Sequence, residues 1–133
     1  MNSEDLKKRL KVFALRIIKF SESLPNNITG RTIANQIIRS GTSPGANYRA
    51  ACLGKSDRDF LNKLKMVEEE LDETLYWLEL SLESGLIKPD LISDLMKENT
   101  ELFKIISSSI ITMKRNIKSK KNNPEKNSKC LMG

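Results

Sequence analysis

The chain has 133 residues, 38% hydrophobic and 30% charged, with four prolines, six glycines and a formal net charge of +6. This length and balance are typical of a single helical domain that buries a core. Histidine is absent and there are two cysteines, which excludes hydrolytic triads and Cys-His pairs and leaves too few ligands for a zinc site.

The first residues and the apolar runs of the chain bear on its cellular location. Residues 1–5 lack a basic segment followed by an apolar one, as a secretory leader would have. No apolar run approaches the ~20 residues of a membrane span, and Ile105–Ile111 is interrupted by three serines. We therefore expect a cytoplasmic protein without membrane contact. Cys52 is expected to be a small buried thiol, and Cys130 lies in a polar tail.

The first predicted helix covers about residues 4–24. Its apolar residues alternate four and three apart, which is the spacing of a bundle helix. Ser3 is the expected N-cap, and Pro25 begins the break that follows. The apolar stripe consists of Leu6, Leu10, Phe13, Ile17, Phe20 and Leu24.

The second predicted helix covers about residues 29–53 and contains Gly41 and Pro44. Proline removes a backbone donor and clashes with the preceding turn, so either the helix is kinked or two shorter helices meet there. The small side chains of residues 40–43 favour close packing against a neighbouring helix; a phosphate loop is excluded because no Gly-Lys-Ser/Thr ending and no strand accompany them. The buried face is expected to hold Ile33, Ile37, Pro44 and Tyr48.

The third predicted helix covers about residues 56–84, with Ser56 as N-cap and Gly85 as the left-handed residue after its end. Its stripe is Phe60, Leu64, Val67, Leu71, Leu75, Leu78 and Leu82. The acidic run Glu68–Glu73 is expected to be solvated, because a di-iron bundle would need Glu-x-x-His pairs or equivalent inward-facing carboxylates.

The fourth predicted helix covers about residues 89–118, with Pro89 in its first turn. Its stripe is Leu91, Leu95, Leu102, Ile106, Ile110, Met113 and Ile117. We interpret residues 119–133 as a disordered basic tail, because the apolar period stops after Lys118. The short connections predict an all-α, up-down-up-down antiparallel four-helix bundle over residues 1–118.

Charge is distributed unevenly along the chain. Residues 1–53 carry +6, residues 54–103 carry −7 and residues 104–133 carry +7. A basic surface on helices 1 and 4 would attract polyanions, since phosphate contacts supply most sequence-independent affinity for nucleic acids. The alternative is a solvated bundle whose charges pair between helices. The candidate contacts are Lys7, Lys8, Lys11, Lys114, Arg115 and Lys118.

A second feature is a cluster of apolar side chains late in helix 3. Tyr76, Trp77 and Leu80 point away from the core stripe, so this helix is apolar on more than one side. They fit either a larger local core or, as we favour, a subunit interface.

Several short motifs resemble those of the bacterial four-helix-bundle family founded on proteins encoded in intervening sequences of 23S rRNA genes, also described as S23 ribosomal protein-like. Members tend to share an apolar-Arg-Ser-x-x-Ser-(Ile/Pro)-x-Ala-Asn centre, an Asp-Phe pair early in helix 3 and an aromatic-Trp-Leu triplet late in it. The matching residues are Arg39, Ser40, Ser43, Ala46 and Asn47, then Asp59 and Phe60, then Tyr76, Trp77 and Leu78.

The resemblance implies that helix 2 is one continuous, bent helix and that the bundles assemble into a homopentameric ring. Because no residue set pairs a nucleophile with a base and histidine is absent, we expect a non-catalytic protein without a cofactor or metal. The family's link to ribosomal RNA genes favours structured RNA, such as ribosomal RNA, as its partner. Related Avd-like proteins are accessory subunits of the reverse transcriptases of diversity-generating retroelements, so a protein adaptor is the alternative. Asn47 and Arg49 are candidates for binding or for structural roles, Asn47 on carbonyls freed by Pro44 and Arg49 on helix 3 acids.

Overall fold

The computed structural model describes residues 1–122, which form four α-helices and no strand. The helices are α1 (Ser3–Ser23), α2 (Ile28–Cys52), α3 (Asp57–Glu83) and α4 (Pro89–Asn122). Connections of a few residues make consecutive helices antiparallel neighbours. α2 packs extensively against α1 and α3, and α3 against α4, whereas α1 and α4 touch over a much smaller area. The predicted all-α four-helix bundle is confirmed.

The helix ends follow local capping chemistry. The side chain of Asn2, rather than the expected Ser3, accepts a hydrogen bond from the Asp5 amide at 2.9 Å, because the helix already begins at Ser3, one residue earlier than predicted. Ser56 caps α3 as predicted, accepting from the Asp59 amide at 3.1 Å. Gly85 has φ 79°, the left-handed conformation expected after α3.

α4 is longer than the apolar pattern predicted. It continues through Asn122, and the Lys120 ammonium contacts the Asp57 carboxylate at the start of α3. Residues 119–122 are therefore helical rather than part of a tail, because an ion pair and not an apolar side chain holds them. The rest of the predicted disordered tail, 123–133, lies outside the described residues.

The core contains nearly every predicted stripe residue. The exceptions lie at the edges: Leu75, Leu82 and Ile117 are half-buried, and Leu91 is 66% exposed while its neighbour Ile92 is fully buried. The prediction that Leu91 is buried is wrong because α4 turns the face with residues 92, 95, 99 and 102 inward.

α2 is one α-helix through Pro44, and the small residues before it bring α1 and α2 close together. A Cβ added to Gly41 would lie 2.6 Å from Ile17 Cγ2, so no larger residue fits without displacing α1. The expected close packing of this segment is therefore present.

Gly41→Ala should lower the free energy of unfolding by about 1–2 kcal/mol, because overpacking of ~1–3 kcal/mol exceeds the helix-propensity gain. Gly45→Ala is the matched control on the same helix. Its added Cβ would meet Leu10 at an ordinary 3.6 Å, so this substitution should stabilise by about 0.5–1 kcal/mol. Denaturant unfolding followed by circular dichroism measures both. Equal effects of the two substitutions would show that α1 moves freely at Gly41.

Candidate nucleic-acid interface

The three predicted lysines of α1 lie in its first three turns. Lys8 and Lys11 are exposed and have no ion-pair partner among residues 1–122. Lys7 is half-buried and donates a hydrogen bond to Glu4 at 2.9 Å, which raises the pKa of Lys7 and lowers that of Glu4. Lys8 and Lys11 are therefore the available cations, and Lys7 is shared with a carboxylate.

Arg9, on the same helix, is fully engaged. Its guanidinium forms a two-pronged hydrogen bond with the Glu98 carboxylate at 2.7 and 2.8 Å and an ion pair with Glu101 at 2.8 Å. These bonds raise the pKa of Arg9. Arg9 thus joins α1 to α4, the pair of neighbouring helices with the smallest contact, and it contributes no free charge to the surface.

The predicted cations of α4 occupy the same end of the bundle. Lys114, Arg115 and Lys118 are exposed and have no carboxylate at ion-pair distance within the described chain. Met1 shares a surface hollow with Thr112, so the end of α4 extends past the start of α1. The antiparallel arrangement therefore places both predicted basic sets at one end.

A basic groove runs between α1 and α2. Its volume is about 180 Å³, and it is lined by Lys7, Lys11, Ala14, Thr42, Gly45, Ala46 and Arg49. Arg49 is exposed and lies close enough to Lys7 to lower its pKa, although the hydrogen bond to Glu4 outweighs that effect. The expected pairing of Arg49 with α3 acids is absent among residues 1–122, because α2 turns Arg49 toward α1.

The predicted family motif mainly joins α2 to α3. Arg39 forms an ion pair with Glu73 at 2.9 Å. The buried hydroxyls of Ser40 and Thr74 lie 3.0 Å apart and share a hydrogen bond. These contacts give the motif positions a packing role rather than a binding one.

The next motif positions behave similarly. Ser43 donates to the Arg39 carbonyl at 2.6 Å. Asn47 donates to the Glu70 carboxylate at 2.9 Å, and not to a carbonyl left free by Pro44. Asn47 lies on the α3 side of the helix, which explains the difference. Ala46 is the exception, since it is exposed on the floor of the basic groove.

The last motif pair begins α3. The Asp59 amide donates to Ser56, and the fully buried Phe60 ring packs 6.5 Å from Tyr48 at an interplanar angle of 59°. Phe60 fixes the start of α3 against α2 from inside the core, whereas the Asp59 side chain is exposed.

The predicted interface residues surround an apolar hollow between α2 and α3. Trp77 and Leu80 are half-buried and line it, and Trp77 donates from Nε1 to Glu73 at 3.1 Å. Tyr76 is 52% exposed and stacks edge-to-face on Trp77, with ring centroids 5.1 Å apart. Ile28, 78% exposed, also lines the hollow and was missed because it precedes the predicted start of helix 2.

Two further properties bear on function. Within residues 1–122, His, Cys, Asp and Glu side chains form no group of three that could hold a metal ion. In the same part of the chain, each helix is too short or too polar to cross a bilayer.

Comparison with known proteins identifies a family and a related solved structure. The sequence model of the family described as 23S rRNA-intervening sequence protein matches residues 4–108. The chain is also similar to a crystal structure of a protein of unknown function from the S23 ribosomal protein family of Bacteroides thetaiotaomicron. The two are 37% identical with a TM-score of 0.74, over 79% of this chain and 97% of the other. Among curated proteins there is no significant match.

Proposed function

This chain belongs to the 23S rRNA-intervening sequence protein family, and on that premise we propose that it binds structured RNA through its basic end. In this proposal the protein is a cytoplasmic, non-catalytic bundle that acts as a homo-oligomer. Its contacts are with the RNA backbone.

One observation carries the proposal: both predicted basic sets, on α1 and on α4, supply exposed cations without carboxylate partners at the end where α1 begins and α4 ends. An unpaired cation keeps its full charge for a phosphate, and each neutralised phosphate releases condensed counterions. Cations already in ion pairs would have to break them first. The exposed cations without an ion pair at this end include Lys8, Lys11, Arg49, Lys114, Arg115 and Lys118; others, such as Lys19 and Lys97, lie elsewhere on the bundle.

The positions of the aromatic residues favour backbone contacts over base stacking. Phe13, Tyr48 and Phe60 are fully buried, and Tyr76 and Trp77 lie far along α3 from the basic end. Proteins that hold single strands by stacking need exposed aromatics along the binding track. A folded RNA with closely spaced phosphates is therefore the better partner for this surface.

Purification under native conditions tests the proposal. The purified protein should have a 260/280 nm absorbance ratio well above that of protein alone, and ribonuclease should return the ratio to the protein value. Deoxyribonuclease is the control. A protein-like ratio before nuclease, together with no gel shift of added ribosomal RNA fragments, would contradict RNA binding.

We further propose that the α2–α3 hollow is where copies of this chain meet in a ring, with the five subunits expected from the resemblance. An apolar hollow lined by exposed Ile28 and by Trp77, with exposed Tyr76 packed against Trp77, is the kind of surface that aromatic-rich interfaces bury. The same hollow also supports the second candidate function, an adaptor that docks a reverse transcriptase.

Ile28→Ser should reduce the oligomer to smaller species without unfolding the bundle, because this side chain makes little contact within one subunit. Leu53 is 83% exposed at the other end of α2, so Leu53→Ser is the matched control and should leave the mass unchanged. Light scattering gives the mass, which for the unaltered chain should be several times 15.1 kDa. A monomeric mass for the unaltered chain would contradict self-assembly and favour a different occupant of the hollow.

A further inference from the structure

The groove between α1 and α2 is formed by helical positions that repeat on both walls. α1 contributes positions 7, 11 and 14, and α2 contributes positions 42, 45, 46 and 49. Each set follows the three- and four-residue spacing of one helix face, so the walls are rigid elements rather than loops. The groove is thus a preformed feature of the bundle.

Three cations line this groove, and one carboxylate compensates them in part. Glu4 accepts from Lys7, whereas Lys11 and Arg49 have no ion pair among residues 1–122. Lys7, Lys11 and Arg49 line one groove of about 180 Å³, so their like charges lie near one another. Holding like charges together costs free energy that a bound anion offsets.

The floor of the groove has small side chains. Ala14, Gly45 and Ala46 lie between the cations. Ala46 is exposed, and a Cβ added to Gly45 would be 3.6 Å from Leu10, so α1 closes the groove from below. Apart from the three cations, the groove is therefore lined by short side chains, which leave room for a phosphate oxygen.

We propose that this groove binds one phosphodiester of the RNA backbone between Lys11 and Arg49, with Lys7 at its edge; this deepens the proposed function and rests on it. An arginine guanidinium presents paired donors that match phosphate oxygens, and a lysine adds a point charge. None of the lining residues is aromatic, so the site reads no base. Arg49 is a binding residue in this assignment, and the small side chain of Ala46 leaves the groove open to the phosphate.

The test separates the shape of the groove from the charge of the surface. Ala46→Leu fills the groove and changes no charge, and Ala50→Leu is the control, since Ala50 is exposed on the same helix but outside the groove. Arg49→Gln removes one groove cation, and Lys19→Gln removes an exposed cation elsewhere. Affinity for a fluorescein-labelled RNA duplex is measured by anisotropy over a series of salt concentrations, after circular dichroism and light scattering show an unchanged fold and mass.

Ala46→Leu should weaken duplex binding by about tenfold, the loss of one well-placed charged contact, while Ala50→Leu stays within about twofold. Arg49→Gln should lower the slope of log affinity against log salt by roughly 0.7–0.9 per subunit engaged, more than Lys19→Gln does. If Ala46→Leu binds like Ala50→Leu, and Arg49→Gln like Lys19→Gln, the groove assignment is wrong and diffuse binding of RNA stands. If the unaltered protein retains no duplex, the proposed function fails and this inference fails with it.

Discussion

Asn99→Asp should lower the free energy of unfolding by about 4 kcal/mol at pH 7 and by little near pH 4. Asn99 is fully buried in α4; its Nδ2 donates to the Leu71 carbonyl at 2.8 Å, and its Oδ1 has no partner among the described residues. A carboxylate there would face a carbonyl oxygen with no cation, so burial would raise its pKa well above the unfolded value of ~3.9.

The pH dependence follows from the sign of that shift. Below about pH 4 the carboxyl is protonated in both the folded and the unfolded state, so its raised folded-state pKa does not lower the free energy of unfolding. The cost grows by ~1.36 kcal/mol per pH unit above that value and reaches ~4 kcal/mol at pH 7, a large part of the ~5–15 kcal/mol typical of a domain.

The measurement is denaturant unfolding of the variant and the unaltered protein at matched pH values, so that the general effect of acid cancels. Asn62→Asp, at an exposed position of α3, is the matched control and should change stability by less than ~0.5 kcal/mol at every pH. A pH-independent loss for Asn99→Asp would show that water or a cation reaches this position.

Reversing Lys7, Lys8 and Lys11 to glutamate should weaken RNA binding on the order of a hundredfold or more, because several phosphate contacts are lost and repulsion replaces them. In a ring the effect is multiplied, since each copy contributes its own set of contacts. Helix content should be unchanged, as Lys8 and Lys11 are exposed and Lys7 pairs only with exposed Glu4 among the described residues.

Glu69→Lys is the opposite control: it alters an exposed acid on α3, away from the basic end, and should leave RNA affinity within a few-fold. Filter binding at several salt concentrations measures both variants. Equal binding by the triple reversal and the unaltered protein would make the basic end a solvated surface and leave the adaptor as the better function.

Most of the fold could be predicted from apolar spacing, and the exceptions have physical causes. The stripe of α1 is buried at every predicted position because a long amphipathic helix has a single apolar face that can pack on the core. The end of α4 was placed too early because the Lys120–Asp57 ion pair, and not an apolar residue, holds it. Leu91 and Ile92 are adjacent apolar residues, and only packing against α1 and α3 decides which of them turns inward.

The sequence predicts which residues of the candidate site are basic, but not which of them form ion pairs. Sequence identifies Lys7, Lys8 and Lys11 as basic, yet the ion pair that occupies Lys7 depends on a side-chain rotamer. The sequence leaves Arg49 with two possible roles, binding or pairing with α3 acids, because its orientation toward α1 follows from its register with Gly45 and Ala46 on α2. The helical spacing of small residues opposite lysines was the signal that could have located the groove.

The salt dependence of RNA binding by the unaltered protein tests the central claim most directly. If exposed, unpaired cations hold the backbone, log affinity for a folded RNA should fall linearly with log salt, with a slope of several multiples of roughly 0.7–0.9. Affinity should also differ little between RNAs of unrelated sequence but equal fold. A slope near zero, or no retention of RNA near ~150 mM salt where surface charges are still effective over ~8 Å, would contradict it.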